Sequence, residues 1–396
     1  MSRNLRSPDG PTVRLACLLT IFALAACARG VVATPSPTAT IAPVGLGAPK
    51  ALLRGLIDMQ DISWHNTDNA QPAFDISNVD AFPGLFGGIV INATWSQMQP
   101  VSNGAIDRTA VDAALAAVRT YNDANPSAPL GVKLRIYGGS NAPAWAKSIG
   151  GPVRIYRNPA GCGGVEDSCL LTVGAFWTPP YIASWRSFLG KVAAQYDAEP
   201  LIRAVAVTSC AAQTDEPFVT TSGPIGKAHL KTAGYDDQAE QACLSGAVDD
   251  YAAWTSTPVD FTFNAYENAD SGVDAGFTKT VMAACRTKLG DLCILDNHAL
   301  QTPLTADLAV YNAIKADGPP INFQTASPGG MGCIWPETIT QGLILGARAI
   351  EVWPKFQGFT TLTVPQVQAL HDLFYAPVPA STPVPVPLPT PCSGYN

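Results

Sequence analysis

Charge and histidine are both scarce in this chain. Of its 396 residues only 14% are Asp, Glu, Lys or Arg, the net charge is −7, and there are four histidines. No basic run follows the N-terminal segment, which argues against a nucleic-acid partner. Motifs that carry their own chemistry are missing as well: no GxSxG elbow, no HExxH, no GxxxxGK(S/T) and no GxGxxG turn. Their absence argues against the α/β serine hydrolases, helical zinc sites, phosphate-cradling loops and dinucleotide-binding sheets. No CxxC pair stands near clustered histidines, and "DNH" at 296–298 is a single short run without partners. Neither a metal nor a cofactor is expected. The mean hydropathy of +0.13 comes from dispersed Ala, Val, Leu and Ile, not from a second membrane segment.

What is present begins with an export signal. Arg3, Arg6 and Arg14 precede "LACLLTIFALAAC", which is too short to span a bilayer comfortably. Its end, Leu24-Ala25-Ala26-Cys27, resembles the bacterial lipobox. That resemblance implies cleavage before Cys27 and a lipid on its thiol; the alternative is an ordinary secretory signal. The expected organisation is a signal peptide over 1–26, a Pro/Thr/Ala-rich tether over 27–49, one folded domain over 50–377 and a Pro-rich tail over 378–396. The expected location is extracytoplasmic, secreted or held in a bacterial cell envelope by the lipid alone, with the protein a monomer.

Ten cysteines less Cys17 and Cys27 leave eight, an even number suited to disulfides in an oxidising compartment. Sequence proximity suggests Cys162 with Cys169, Cys285 with Cys293 and Cys210 with Cys243, leaving Cys333 and Cys392 to fasten the tail. Eight cysteines nevertheless permit 105 pairings.

The middle of the chain alternates short apolar runs with helical patterns. Eight strands are predicted at 54–59, 87–94, 131–138, 202–209, 259–266, 291–297, 321–326 and 347–353. Several are apolar on consecutive residues, as parallel strands buried on both faces are. Val111, Ala114, Leu115, Val118 and Tyr121 share one helical face, as do Trp185, Phe188, Leu189, Val192 and Tyr196. Eight strands separated by helices predict an α/β fold, a single-domain (β/α)8 TIM barrel with disulfide-stapled loops.

In such a barrel the chemistry sits at the C-terminal ends of the strands. The polar and aromatic residues there become candidates: Asp58, Asp61 and His65, Asn92 and Trp95, Asn141 and Trp145, Gln213, Asp215 and Glu216, Asn264 and Glu267, Asp296, Asn297 and His298, Gln324, Glu351 and Trp353. Carboxylates, amides and tryptophans gathered at one rim suit carbohydrate. Glycosidic cleavage uses a pair of carboxyl groups, and aromatic faces stack on sugar rings. Each tryptophan has core packing as its plainer explanation.

Three segments resemble the clan-A glycoside hydrolases, the family 5 and family 42 barrels. "GGIVINATWSQMQP" is similar to their second strand, "GVKLRIYGGSNAPAW" to their third strand and its turn, and "YIASWRSFLGKVAAQYDAEPLIRAVAVTSCAAQTDE" to their helix and fourth strand. The resemblance implies that Glu216 is the acid/base, with Asp215 in the place usually held by Asn. It also implies a glutamate nucleophile on strand seven, where "INFQTASPGG" offers Gln324. Glu351 at the end of strand eight is the nearest substitute. Its placement four strands from Glu216 favours the wide spacing of inverting enzymes, roughly 6.5–9.5 Å. Glu351 is otherwise a substrate-hydroxyl acceptor or a partner of Arg135 or Arg348, and Asp58, Glu267 and Asp296 remain alternatives for the second carboxylate.

The leading expectation is therefore an exported O-glycosyl hydrolase acting on an oligo- or polysaccharide. The alternatives are a noncatalytic carbohydrate-binding barrel that has lost its strand-seven nucleophile, and an envelope scaffold with no sugar site. The loop "NPAGCGGVEDSC" at 158–169 is expected to close as a flap, placing Glu166 near ligand.

Overall fold

The computed structural model describes residues 48–62, 64, 67–156, 170–214, 216, 223–269, 272–304, 307–327, 334–353 and 362–378. Residues 1–47 and 379–396, which hold nearly all of the segments expected to be signal peptide, tether and tail, lie outside these residues, as do His65, Asp215, the 158–169 loop with Glu166, and Cys162, Cys169, Cys333 and Cys392.

Eight parallel strands form the centre: β1 Gly55–Asp58, β2 Phe86–Thr94, β3 Gly131–Tyr137, β4 Ile202–Ala206, β5 Val259–Thr262, β6 Cys293–Asp296, β7 Asn322–Gln324 and β8 Ala349–Val352. Each pairs with its sequence neighbours, β1 also pairs with β8, and a parallel bridge between Leu295 and Ile321 joins β6 to β7. The sheet thus closes into the (β/α)8 barrel that the pattern of apolar runs predicts. Closure leaves no edge strand.

Strand alternation sorts the side chains into two environments. In β3, Val132, Leu134 and Ile136 point outward into the main core, where α1 (Thr109–Ala124) and α2 (Pro179–Tyr196) bury their apolar faces. The inward positions hold a separate apolar cluster of Leu53, Ile57, Met59, Val90, Ala204, Ile294 and Ala349. Lys133 and Arg135 of β3 occupy the remaining inward places and are almost wholly buried. The strand GVKLRIY thus alternates, with apolar residues on its outer face and two cations on its inner one.

Two antiparallel hairpins decorate the barrel, one pairing Val153–Tyr156 with Leu170–Val173 and one pairing Tyr266–Asn268 with Gly272–Asp274. The described helices on the second half are α3 Gly223–Thr232, α4 Asp237–Asp250, α5 Ala275–Leu289, α6 Leu308–Asp317, α7 Trp335–Ile344 and α8 Val364–Leu373. The Cys210–Cys243 and Cys285–Cys293 disulfides are both formed.

Candidate active site

The segment after β4 is held at almost every residue before it reaches Glu216. Val207 donates its N–H to the Asp260 carbonyl at 2.8 Å, and the Thr208 N–H donates to the Tyr251 hydroxyl at 2.9 Å. Ser209 Oγ donates to Asp250 Oδ2 at 2.8 Å and accepts from Trp185 Nε1 at 2.7 Å. Cys210 is bonded to Cys243 of α4, and the Ala212 carbonyl accepts the Ser140 N–H at 2.8 Å. That last contact needs Gly139, which has φ +52° and where a Cβ would stand 2.3 Å from the Ala212 oxygen. Only glycine permits so close an approach. Thr214 Oγ1 then accepts the Glu216 N–H at 3.3 Å.

Glu216 arrives at the mouth with its side chain 26% exposed. Asn264, two residues beyond β5, sets its orientation. The His298 backbone N–H donates to Asn264 Oδ1 at 2.9 Å, so the amide nitrogen faces Glu216 and donates to its Oε1 at 2.8 Å. The His298 ring lies behind, with Nδ1 4.0 Å from the same Glu216 oxygen. Its Nε2 meets Asp296 Oδ2 at 3.3 Å and Thr262 Oγ1 at 3.0 Å.

Below the mouth the lumen is filled by ions. Lys133 Nζ touches Asp260 Oδ2 at 3.2 Å, Asp296 Oδ2 at 3.1 Å and Glu351 Oε1 more closely still. Arg135 Nη2 meets the other oxygen of Glu351 at 2.5 Å. These side chains are 0–3% exposed. Two cations therefore face three carboxylates in a sealed space, where an uncompensated charge is costly. Charge balance calls for one proton among the three carboxylates. Burial raises the Asp260 carboxyl well above its ordinary range, and although Lys133 opposes this, the neighbouring Asp296 and Glu351 add to it. Asn322 Nδ2 donates to Asp260 Oδ2 at 2.8 Å. Burial also works against the charges of Lys133 and Asp296, but here the partners win. Asp260, Glu351 and Asp296 hold Lys133 above the usual lysine range, while Lys133 and His298 hold Asp296 below the carboxylate range.

The other candidates divide. Gln324 is in register with Glu351 across β7 and β8. Trp353, half-buried, packs against the lumen cluster and donates its Nε1–H to the Thr325 carbonyl at 2.9 Å. Asn92 is partly buried near the Met59 carbonyl. Three residues face elsewhere. Asp58 turns outward at the end of β1, where Asn78 Nδ2 at 2.7 Å and Gln60 Nε2 donate to it; burial pushes it up to about 6. Trp95 is fully buried in the outer core, stacked on Phe188 at 5.3 Å and edge-on to Trp185 at 5.1 Å. Trp145 packs edge-on against it at 5.2 Å. Trp95 directly follows β2 and continues the alternation of Ile89, Ile91 and Ala93 toward the outer core, and Trp145, in a short helix after β3, packs onto it there. The backbone of Glu267 lies in the second hairpin.

Sequence reasoning passed over Lys133, Asp260 and Asn322. A signal existed: Lys133 and Arg135 stand two apart in an apolar strand, as do Asp260 and Thr262, so each pair shares one face.

No family model matches the sequence, nor does any curated protein. Solved structures do resemble the fold. An endo-glycoceramidase II from Rhodococcus sp. is 16% identical, with 83% of this chain and 81% of that chain covered and a TM-score of 0.47. A GH5 family lichenase from Caldicellulosiruptor sp. F32 is 13% identical over 83% of this chain and 99% of its own, with a TM-score of 0.43. An endo-beta-1,4-glucanase from Xanthomonas axonopodis pv. citri is 10% identical over 82% and 100%, with a TM-score of 0.46.

Proposed function

We propose that the protein is a glycoside hydrolase with Glu216 as its acid/base. The observation that carries this reading is the setting of Glu216. It is a carboxyl group at the mouth of a parallel barrel, open to solvent on one side and oriented on the other by Asn264 and His298. Glu351 is the second carboxylate of the proposal. Lys133 and Arg135 meet it, one on each oxygen, and the second carboxylate of a glycosidase acts as base or nucleophile. Trp353 is the aromatic platform on the same side of the barrel. The N-terminal pattern supports export and a lipid on Cys27, which labelling with a fatty acid checks: label retained by Cys27→Ala would sink that part.

The ion pairs at Glu351 also favour a second reading, a noncatalytic carbohydrate-binding barrel. A carboxylate held by two cations at 3% exposure is a poor nucleophile, and its neighbour on β7 is the amide Gln324. Hydrolysis of a glycan panel by wild type and Glu216→Gln, with calorimetric binding on the same panel, separates the two. Turnover that disappears in Glu216→Gln supports the hydrolase. Binding without turnover by wild type supports the binding barrel, and turnover unchanged in Glu216→Gln removes Glu216 from the mechanism.

A further inference from the structure

We propose that Asp296 and His298 are positioning residues that couple the Lys133 ion cluster to Glu216, so that His298 and Glu216 share one proton at the mouth. The inference rests on the reading of Glu216 as the acid/base, but it is carried by geometry that stands without it. An unbroken line of polar contacts runs from the lumen to the rim: Lys133 Nζ to Asp296 Oδ2 at 3.1 Å, Asp296 Oδ2 to His298 Nε2 at 3.3 Å, and His298 Nδ1 to Glu216 Oε1 at 4.0 Å. The last distance is ion-pair length and not hydrogen-bond length.

The lower end of the line is fixed. Lys133 keeps Asp296 ionised, and the Asn297 N–H donates to its Oδ1 at 2.7 Å. An ionised Asp296 beside Nε2 holds a proton on that nitrogen, so the remaining choice lies at Nδ1. With Nδ1 protonated, the imidazolium faces a Glu216 carboxylate. With Nδ1 bare, its lone pair faces Glu216, and the carboxyl form of Glu216 is favoured. One proton thus occupies either the ring or the acid, and the two groups titrate as a pair. When Glu216 gives its proton to a leaving oxygen the pair is left without one, and water restores it through Glu216, whose side chain is 26% exposed against 1% for His298. Among the described residues, the groups that bear on His298 are Asp296 of β6, Glu216 after β4, Thr262 of β5, Lys133 of β3 beyond Asp296, and the Tyr311 hydroxyl of α6, itself influenced by Asp296 and Glu216. Asp307 reaches the neighbouring Asn297 amide at 3.4 Å.

Four histidines make the test direct. Imidazole titrations are followed by NMR on the whole protein, wild type, Asp296→Asn and Glu216→Gln, with His298→Gln assigning the signal. Asp296→Asn keeps the shape and removes the charge. The His298 midpoint should fall by about one pH unit or more in Asp296→Asn and fall again in Glu216→Gln, as each carboxylate is withdrawn. A midpoint unchanged in both variants overturns the coupling, whatever the protein does to glycans. If turnover is found, the basic limb of its pH profile, where Glu216 loses the proton it donates, should move in Asp296→Asn; a profile that loses height without moving assigns Asp296 a structural role only and overturns the proposal. A His298 midpoint that shifts in a protein without turnover keeps the coupling and sinks only the hydrolase reading.

Discussion

Lys133→Met removes a cation from a sealed lumen while keeping most of its volume. In the wild type one proton among the three carboxylates balances them against Lys133 and Arg135. Without Lys133 a second carboxylate must also take a proton or remain as a buried, uncompensated anion. Protonating a carboxyl of ordinary pKa near 4 costs about 1.4 kcal/mol for each pH unit above that value, hence about 5 kcal/mol at pH 7.5 and about 1.4 kcal/mol at pH 5. The upper figure agrees with the roughly 3–5 kcal/mol lost when one partner of a buried ion pair is removed. The sign follows from linkage. The extra carboxyl has a folded pKa raised above its unfolded value, so its cost is absent below about pH 4 and grows as pH rises. Urea unfolding followed by the fluorescence of the Trp95 cluster, at pH 5 and pH 7.5, reads the difference directly. The variant should lose about 3.5 kcal/mol more at pH 7.5 than at pH 5, with the slope against urea unchanged. A loss that is the same at both pH values, or below about 1 kcal/mol at pH 7.5, refutes the charge balance.

Three further substitutions test other parts of the molecule. Trp95→Ala should cost about 3–5 kcal/mol of stability, as a fully buried aromatic does, without changing glycan affinity; Trp353→Ala should weaken binding about tenfold or more, about 1.4 kcal/mol, and cost less stability. Calorimetric titration beside urea unfolding checks the pair, and weakened binding in Trp95→Ala alone would reverse the assignment. Glu240 of α4 is buried beside the Tyr235 and Tyr266 hydroxyls, and burial pushes it up to about 7. Because that lies above its unfolded value near 4.3, stability should decline as pH rises from about 4.3 to 7 and level off beyond. Glu240→Gln should flatten this decline in Tm measured between pH 5 and pH 8, and an unaltered slope would remove Glu240 as its cause.

The barrel was legible because its strands announce themselves twice, as apolar runs and by their spacing. All eight predicted runs contain a strand, and the helical face from Val111 to Tyr121 is the one buried. Boundaries ran long at the C-terminal ends: the run at 202–209 is strand only through Ala206, since Thr208 and Ser209 bond to Tyr251 and Asp250 and leave the ladder. Direction was harder to read than position. Asp58 and Trp95 lie where the rim residues were sought, yet their side chains point outward, and a one-residue offset in register is enough to do that. Asn264 was visible as a rim residue, but its tie to His298 depends on a contact between separate strands that sequence spacing does not contain.

The interior salt cluster bears on the order in which the chain can become a barrel. Arg135 and its counter-ion Glu351 are 216 residues apart in sequence, and Lys133 and Glu351 are 218 apart. A growing chain that has reached β7 already carries both cations but still lacks the anion that meets them jointly. Sealing the lumen at that stage would bury charge without its match, so a half-built barrel has no dry interior to fall into. The last strand therefore does more than fill a gap in the hydrogen-bond ladder: it delivers the charge that lets water leave. Complementation should show this polarity, with a fragment ending before 349 staying open and hydrated until a peptide carrying Ala349–Val352 joins it.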